Sequence, residues 1–297
     1  MDFSEKLRAM RKKFHLSQEQ LAEKLNVSRQ AITKWETGSG MPDIENVVAL
    51  AGLFQITVDE LLCVDKSLPQ TTEFMYESVT EYDIDYVKHY DIHACWAKEI
   101  RVTSTDREKI LVRLASNKIS SLETDFKVKI DDLKKRLDVD IQQNKAVTRA
   151  QAKEDLHLLI RIPAKYMGDV ELAAFTDALY LEQLTVGIFE FDGKARTVLV
   201  DDVRGRLELN CSSDMNIVCR SLPGQIEINQ IAAASTLHIP EGSSYLVKTK
   251  GFGNRILYTV NHQPILDRPG NEGENLITLK GINSELLINE YGQEEEG

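Results

Sequence analysis

The first sixty residues alternate between apolar and polar positions with the period of an α-helix. Apolar side chains recur every three or four positions through five segments, from Phe3 to about Leu62. Four of these segments follow a residue type that favours a helix N-terminus, namely Ser17, Ser28, Asp43 and Thr57. The pattern predicts five short helices in a domain that spans residues 1–64.

Beyond residue 87 the apolar period changes from 3.6 to 2, which is typical of β-strands. Pairs of apolar residues recur there at intervals of 10, 9, 9, 10, 9 and 11 residues. The pairs are Leu179/Leu181, Phe189/Phe191, Val198/Val200, Leu207/Leu209, Ile217/Cys219, Ile226/Ile228 and Leu237/Ile239. Turn-forming residues separate them, so each unit is a short strand followed by a tight turn. We therefore expect an all-β, solenoid-like repeat domain over residues 87–291, with a regular meander as the alternative.

Three further segments lack both periods. Residues 65–86 are polar and contain Pro69, which predicts a linker between the two domains. Residues 143–154 are rich in Lys, Arg, Gln and Ala and are expected to form a loop or one helical turn. Residues 292–297 include three consecutive glutamates and are expected to be a disordered acidic tail.

The composition is that of an ordinary globular protein. The chain has 297 residues, of which 42% are hydrophobic and 28% are charged, and its apolar runs are too short to span a bilayer. Because charged residues crowd the N-terminus, no signal peptide is predicted and a cytoplasmic location is expected. The four cysteines are far apart and are expected to be reduced thiols.

The charge is distributed unevenly. The whole chain carries −11, but residues 1–36 have eight basic and five acidic side chains, a local net charge of +3. The remainder therefore carries −14. An acidic body attached to a basic head would be repelled by phosphate everywhere except through the head.

Residues 17–38, with the sequence SQEQLAEKLNVSRQAITKWETG, resemble the helix-turn-helix of the lambda-repressor and Cro family, also called the Xre family. The resemblance rests on Leu21, Ala22, Leu25, Val27, Ile32 and Trp35, which would hold two helices at a fixed crossing. Asn26 stands at the turn position that often holds glycine, and asparagine tolerates left-handed dihedrals. The resemblance implies a five-helix DNA-binding domain in which Gln18 contacts the DNA backbone.

The residues themselves point to the same surface. Ile32 and Trp35 lie on one face of the predicted helix Ser28–Glu36 and leave a polar face on the other side. Arg29 suits guanine and Gln30 suits adenine in a major groove, and Ser28 and Lys34 flank them. The predicted DNA-binding residues are Gln18, Ser28, Arg29, Gln30, Thr33 and Lys34. The alternative is a solvated polar face with no ligand.

The repeat region resembles a β-strand-repeat family named "putative adhesin", whose function is unknown. The resemblance covers about residues 92–289 and rests on the segments GRLELNC, GQIEIN, LLIRIP and LHIPEGSSYLVKT. It implies a parallel, solenoid-like β fold. Adhesion is not expected here because no export signal is predicted.

Two histidines and a cysteine near residue 90 form a candidate metal site, and a purely structural role is the alternative. His89, His93 and Cys95 have donor atoms that zinc prefers, but the sequence offers no fourth ligand. We therefore predict no metal site and no cofactor. The chain also lacks HExxH, GxSxG and P-loop patterns, so no enzyme activity is predicted.

These observations predict a sequence-specific transcription regulator that binds double-stranded operator DNA, with repression expected rather than activation. A homodimer is expected, and the β domain would hold the dimer together and bind a signal or a partner protein. One alternative is an antitoxin or immunity-type regulator whose β domain sequesters a partner. Another is an enzyme with a DNA-targeting head.

Overall fold

The computed structural model divides into two units, residues 1–73 with 294–297, and residues 74–293. It describes residues 7–8, 10–12, 14, 16–25, 27–37, 40, 42, 44–54, 74–144, 146–261, 263–265 and 273–292. The predicted helix after Thr57, the domain limit at residue 64 and most of the tail from residue 292 lie outside the described residues. Each unit is described separately.

Among its described residues, the first unit contains the helices α1 (Gln18–Lys24), α2 (Arg29–Glu36) and α3 (Ile44–Phe54). Residues 7–8 and 10–12 are also helical. Ser17 begins α1 with a capping box, because its side chain accepts from the amide of Gln20 while the Gln20 side chain accepts from the Ser17 amide. These helices begin where the sequence predicted, whereas the count of five remains a prediction.

The core of the first unit is small and continuous. It consists of Leu7, Leu21, Ala22, Ile32, Trp35, Leu50 and Phe54. Ala22 is buried between α1 and its neighbours, where a small side chain allows backbones to approach. The ring of Phe14 packs edge-on against Phe54 at a centroid distance of 5.3 Å. The positions that carry the family resemblance are thus largely the packing positions.

The second unit consists mostly of strands. Its first half contains β1 (Tyr76–Asp83), β2 (Lys88–Thr105), β3 (Lys109–Ser116), β4 (Phe126–Leu133), β5 (Arg136–Gln143), β6 (His157–Pro163) and β7 (Met167–Asn210). Its second half contains β8 (Asn216–Cys219), β9 (Gln225–Ile231), β10 (Ala234–Pro240), β11 (Tyr245–Phe252), β12 (Arg255–Val260), β13 (Gln263–Pro264), β14 (Asn275–Ile282) and β15 (Glu285–Tyr291). All of them belong to one 15-stranded sheet.

Strand β2 organises the first half of this sheet. It pairs in parallel with β5, β6 and β7. On one side, β3 pairs antiparallel with β6, and β1 pairs antiparallel with β3. On the other side, β4 pairs antiparallel with β5.

Apart from the antiparallel pair β12 and β13, the strands of the second half pair in parallel with a regular register. Thr197 in β7 pairs with Asn216 in β8, Arg206 in β7 pairs with Gln225 in β9, and Asn216 pairs with Thr236 in β10. The intervals are therefore 19, 19 and 20 residues, about twice the spacing of the apolar pairs found in the sequence. All seven apolar pairs are buried in one core, which is the consequence expected from their period.

The chain does not add the last strands in sequence order. β14 lies between β9 and β11, and β15 lies between β10 and β12. Residues 275–291 therefore enter between strands that precede them in the chain.

Two predictions need correction. Residues 76–83, assigned to the linker 65–86, form β1 and pair with β3, because backbone pairing does not require an apolar sequence at an exposed edge. The β domain is also not free of helices, since α4 (Leu122–Asp125) and α5 (Arg149–Asp155) interrupt its strands. A capping box between Thr148 and Gln151 stabilises α5, which is longer than the single turn expected.

In the part of the chain that the structure describes, every helix is too short or too polar to cross a lipid bilayer.

Candidate nucleic-acid interface

Helix α2 presents two chemically different faces. Ile32 is fully buried and Trp35 is only 7% exposed, because both pack into the core of the first unit. On the other side are four exposed residues, Arg29, Gln30, Thr33 and Lys34. The structure thus places these four predicted residues together on one polar surface.

Ser28 lies at the N-terminus of this helix. Its hydroxyl oxygen accepts a hydrogen bond from the amide of Ala31 at 3.2 Å, and the residue is exposed. The side chain therefore gives the Ala31 amide a second acceptor beside the Ser28 carbonyl oxygen, and so caps the start of α2. Because Ser28 caps α2, the exposed polar face of α2 begins at the next residue, Arg29.

Gln18 connects α1 to α2. Its side-chain Nε2 donates to Glu36 Oε2 at 2.9 Å, and its Oε1 accepts from the Thr33 hydroxyl at 3.3 Å. The side chain is half-buried. Its predicted contact with DNA phosphate stays a prediction, and its observed contacts hold the first residue of α1 against α2.

Glu36 is the residue that the sequence prediction missed. It lies at the buried end of α2, where Arg11 donates to its carboxylate through Nε and Nη2 at 2.5 and 3.0 Å. Burial alone raises the pKa of Glu36, but hydrogen bonds from Arg11 and Gln18 outweigh it, and the net shift is downward. The signal was present in the sequence, since Glu36 occurs four residues after Ile32 and so lies on the apolar face.

Arg29 has a carboxylate neighbour on the exposed surface. Its Nη1 lies 3.9 Å from Glu19 Oε2, and both side chains are largely exposed. Such a pair in water contributes little to folding, so Arg29 is free to exchange this partner for another acceptor.

The candidate metal ligands lie elsewhere and form other contacts. His89 Nε2 lies 3.4 Å from Glu171 Oε1, and His93 Nε2 lies 3.4 Å from Asp91 Oδ1. Cys95 is a free thiol whose pKa is raised to about 12 by burial. Among the described residues, no group of three or more His, Cys, Asp or Glu side chains is arranged to hold a metal ion.

Two crossed helices that pack through Leu21, Ala22 and Ile32 and expose the polar face of the second define a helix-turn-helix unit. Residues 7–61 match the family model described as "Helix-turn-helix". The N-terminal part of the chain is therefore an Xre-type helix-turn-helix domain that is homologous to those of transcription regulators.

Two relatives cover this domain. The HTH-type transcriptional activator BcrR of Enterococcus faecalis is 52% identical over 62 residues, which are 21% of this chain and 30% of BcrR. The cryptic phage CTXphi transcriptional repressor RstR of Vibrio cholerae is 36% identical over 61 residues, which are 20% of this chain and 54% of RstR. The chain therefore spans 30% of the length of one relative and about half of the other.

Solved structures resemble each unit separately. The P22 c2 repressor in complex with synthetic operator 9T is 37% identical and covers 22% of this chain and 98% of its own, with a TM-score of 0.21. A "putative cell adhesion protein" from Clostridium sporogenes is 12% identical and covers 73% of this chain and 99% of its own, with a TM-score of 0.37.

Proposed function

We propose that this protein is a transcription regulator that binds double-stranded operator DNA by placing α2 in the major groove. The observation that carries the proposal is the exposed polar face of α2 on a helix whose opposite face is buried. A rigid helix of this kind fits the width of the major groove, and its side chains can reach base edges.

The individual roles follow from chemistry and position. Arg29 and Gln30 lie in the first turn of α2 and can each form two hydrogen bonds, Arg29 with guanine and Gln30 with adenine. Ser28, Thr33 and Lys34 flank them and suit sugar or phosphate contacts. Gln18 is proposed to donate to a phosphate from the start of α1, with its orientation maintained by Glu36.

The β unit supports a second part of the proposal. Intervals of 19 or 20 residues between parallel partners are consistent with a solenoid-like winding with two strands per turn. We propose that this unit holds a homodimer together and receives a signal or a partner protein. A dimer doubles the number of DNA contacts that a single small head makes.

Repression is proposed as the output because it requires only that the bound protein occupies promoter DNA. The two relatives differ in this respect, since BcrR is named an activator and RstR a repressor. A promoter fusion in cells with and without the gene tests the direction.

The DNA-binding proposal is tested by selecting a preferred sequence from random double-stranded DNA and titrating variants against it at fixed salt. We expect Arg29→Ala and Gln30→Ala each to cost about 1 to 3 kcal/mol and to relax base preference. Gln18→Ala should weaken binding to all sequences alike. Lys127→Ala, an exposed charge on the β unit, is the matched control. Unchanged sequence preference in the Arg29→Ala, Gln30→Ala double variant would overturn the assignment.

A further inference from the structure

One corner of the β unit carries a strip of five rows, each three residues long. The rows are residues 192–194, 210–212, 229–231, 280–282 and 250–252, in the order in which they follow one another along the sheet. Rows three and four, and rows four and five, are in register over all three residues, while Asn210 of row two pairs with Asn229 of row three. Row one lines the same groove as rows two to four. We call this surface the corner strip.

One half of the corner strip is an exposed apolar ridge. Ile231 pairs with Ile282, and Ile282 pairs with Phe252 on the next strand. These side chains are 58%, 49% and 77% exposed, respectively. Three large apolar side chains side by side in water form a contiguous patch, which is characteristic of an interaction surface.

The other half is a groove with a volume of about 640 Å³. Its lining includes Phe175, Gly193, Cys211 and Gly281. A Cβ added at Gly193 would lie 1.8 Å from the carbonyl oxygen of Ala174, so this position must remain glycine. The strip therefore carries both a ridge and a groove.

The two ends of the strip differ in charge, because row one holds both Asp192 and Lys194, whereas the charged side chains of rows four and five are the cations Lys280 and Lys250. Asp192 is exposed in row one, and in the described structure no cation lies within ion-pair distance of it. In rows four and five, Lys280 and Lys250 share Glu227 at 3.3 and 3.9 Å. Arg206 also contacts Glu227, so cations outnumber carboxylates around that residue.

We propose that a second copy of this chain covers the corner strip, with a two-fold axis through row three that places the two strips antiparallel. The proposal rests on the homodimer of the proposed function and specifies its contact surface. A two-fold axis makes every contact reciprocal, so row one of each copy meets row five of the other.

The pairings that follow are complementary in the outer rows and in the central row. Asp192 meets Lys250 of the partner subunit, and Lys194 meets the ring of Phe252 of the partner subunit, an arrangement that favours a cation over an aromatic face. Ile231 lies next to the axis and meets the partner's Ile231. In rows two and four, Asn210 meets Lys280 of the partner subunit, which places an amide oxygen beside an ammonium group, and Ser212 meets Ile282 of the partner subunit.

The opposite orientation, with the strips parallel, would also pair opposite charges, since Asp192 would meet the partner's Lys194 and Lys250 would meet the ring of the partner's Phe252. It would, however, place Ile231 against the partner's Asn229 and Ile282 against the partner's Lys280, so neither isoleucine would have an apolar partner. Burying apolar side chains against amides and an ammonium group leaves polar groups without partners. The antiparallel orientation is therefore favoured.

The strip is short, which sets the expected affinity. At roughly 4.8 Å per strand, the outer rows are about 19 Å apart, and such a strip covers less than a standard interface of about 800 Å² per partner. We expect a dimer with a dissociation constant of about 1 to 100 μM that becomes stable when two heads bind neighbouring half-sites.

The orientation is tested by disulfide trapping in the full-length chain at about 100 μM, the upper end of the expected range. Ile231→Cys places two thiols next to the proposed axis, so oxidation should yield a covalent dimer. Leu133→Cys, equally apolar and 51% exposed but remote in the sheet, is the matched control and should yield little. Equal yields from the two variants would overturn the proposed surface.

A charge exchange tests the pairing of the outer rows. Asp192→Lys alone and Lys250→Asp alone should each raise the dissociation constant at least about tenfold, because each homodimer brings two like charges together. An equimolar mixture of the two should form a heterodimer at near wild-type affinity, since both contacts are again of opposite charge. Sedimentation of the separate and mixed variants gives these constants.

Failure of a heterodimer to form would overturn the antiparallel pairing, and a monomer at all concentrations would overturn the interface. If the Ile231→Asp variant dimerises as tightly as the unsubstituted chain, another surface holds the two copies together and the proposed interface is wrong. Binding of each variant to a single half-site is measured in parallel. That readout reports on α2 alone, so loss of the dimer with intact half-site binding leaves the DNA-binding proposal standing.

Discussion

Arg11 and Glu36 form an ion pair through two hydrogen bonds that joins the helical residues 10–12 to the end of α2. Gln18 donates to the same carboxylate, so three parts of the head meet at one buried group. The exposed polar face of α2 depends on this junction for its orientation.

Acid should weaken the head through Glu36. Its pKa is lowered in the folded state, so its contribution to stability is present above the unfolded value of about 4.3 and is lost as pH falls through the folded value. We expect urea unfolding, followed by Trp35 fluorescence in a Trp96→Phe chain, to require less urea below about pH 4.

Glu36→Gln is the matched variant for this prediction. It should be less stable at neutral pH by about 2 kcal/mol, because a charge-assisted hydrogen-bond acceptor is lost. Its unfolding midpoint should also change less between pH 5 and about 3.5 than that of the parent chain. Equal acid sensitivity of the two chains would assign the effect to other carboxylates.

Glu19→Gln should strengthen DNA binding. The carboxylate lies 3.9 Å from Arg29 on the surface proposed to meet DNA, where it competes with acceptors on the DNA and repels phosphate. We expect an increase in affinity of about two- to fivefold at low salt that shrinks as salt rises. Anisotropy titrations at two salt concentrations measure it. Glu123→Gln, the same change on the β unit, should have no effect, and equal gains from both would argue against a local cause.

Cys95 and Cys219 should resist thiol reagents. Burial raises the pKa of both thiols to about 12, so only a very small fraction is thiolate at pH 8. Peptide mass spectrometry after iodoacetamide treatment should find these two cysteines labelled about a hundredfold or more slowly in the native chain than in urea. Rapid labelling without denaturant would mean that the sheet opens locally around these strands.

Gly205→Ala should destabilise the β unit. The backbone φ of Gly205 is +120°, and an added Cβ would lie 2.0 Å from the carbonyl oxygen of Val186. We expect a loss of about 2 to 4 kcal/mol in the free energy of unfolding, measured by chemical denaturation. Gly224→Ala is the control, since its Cβ would make an ordinary contact at 3.5 Å. Equal stability of the two variants would contradict the close approach.

Much of the fold could be predicted from local pattern. The start of α1 and of α2 was predicted because capping residues act over three or four positions. The buried face of α2 followed from helical period, and the seven apolar pairs of the β unit followed from strand period. The polar face of α2 was predicted for the same reason, since its residues are those that the period leaves outside.

The sequence did not reveal the relationships between distant residues. The burial of the Glu36 carboxylate is explained by its ion pair with Arg11, which lies 25 positions earlier in the chain. Strand β1 was assigned to the linker because its pairing with β3 depends on backbone hydrogen bonds that leave little trace in polarity.

The order of the last strands and the corner strip also came only from the tertiary structure. β14 and β15 lie between strands that precede them in the chain. The alternation of apolar and polar residues within a strand is the same at every place in a sheet, so it does not indicate which strands are its neighbours. Ile231, Ile282 and Phe252 are up to 51 positions apart in the chain and become neighbours through that order. The periodicity of apolar residues determines which side of a helix or strand is buried. The contacts between elements depend instead on the order in which the strands pair, which follows from the course of the chain between them.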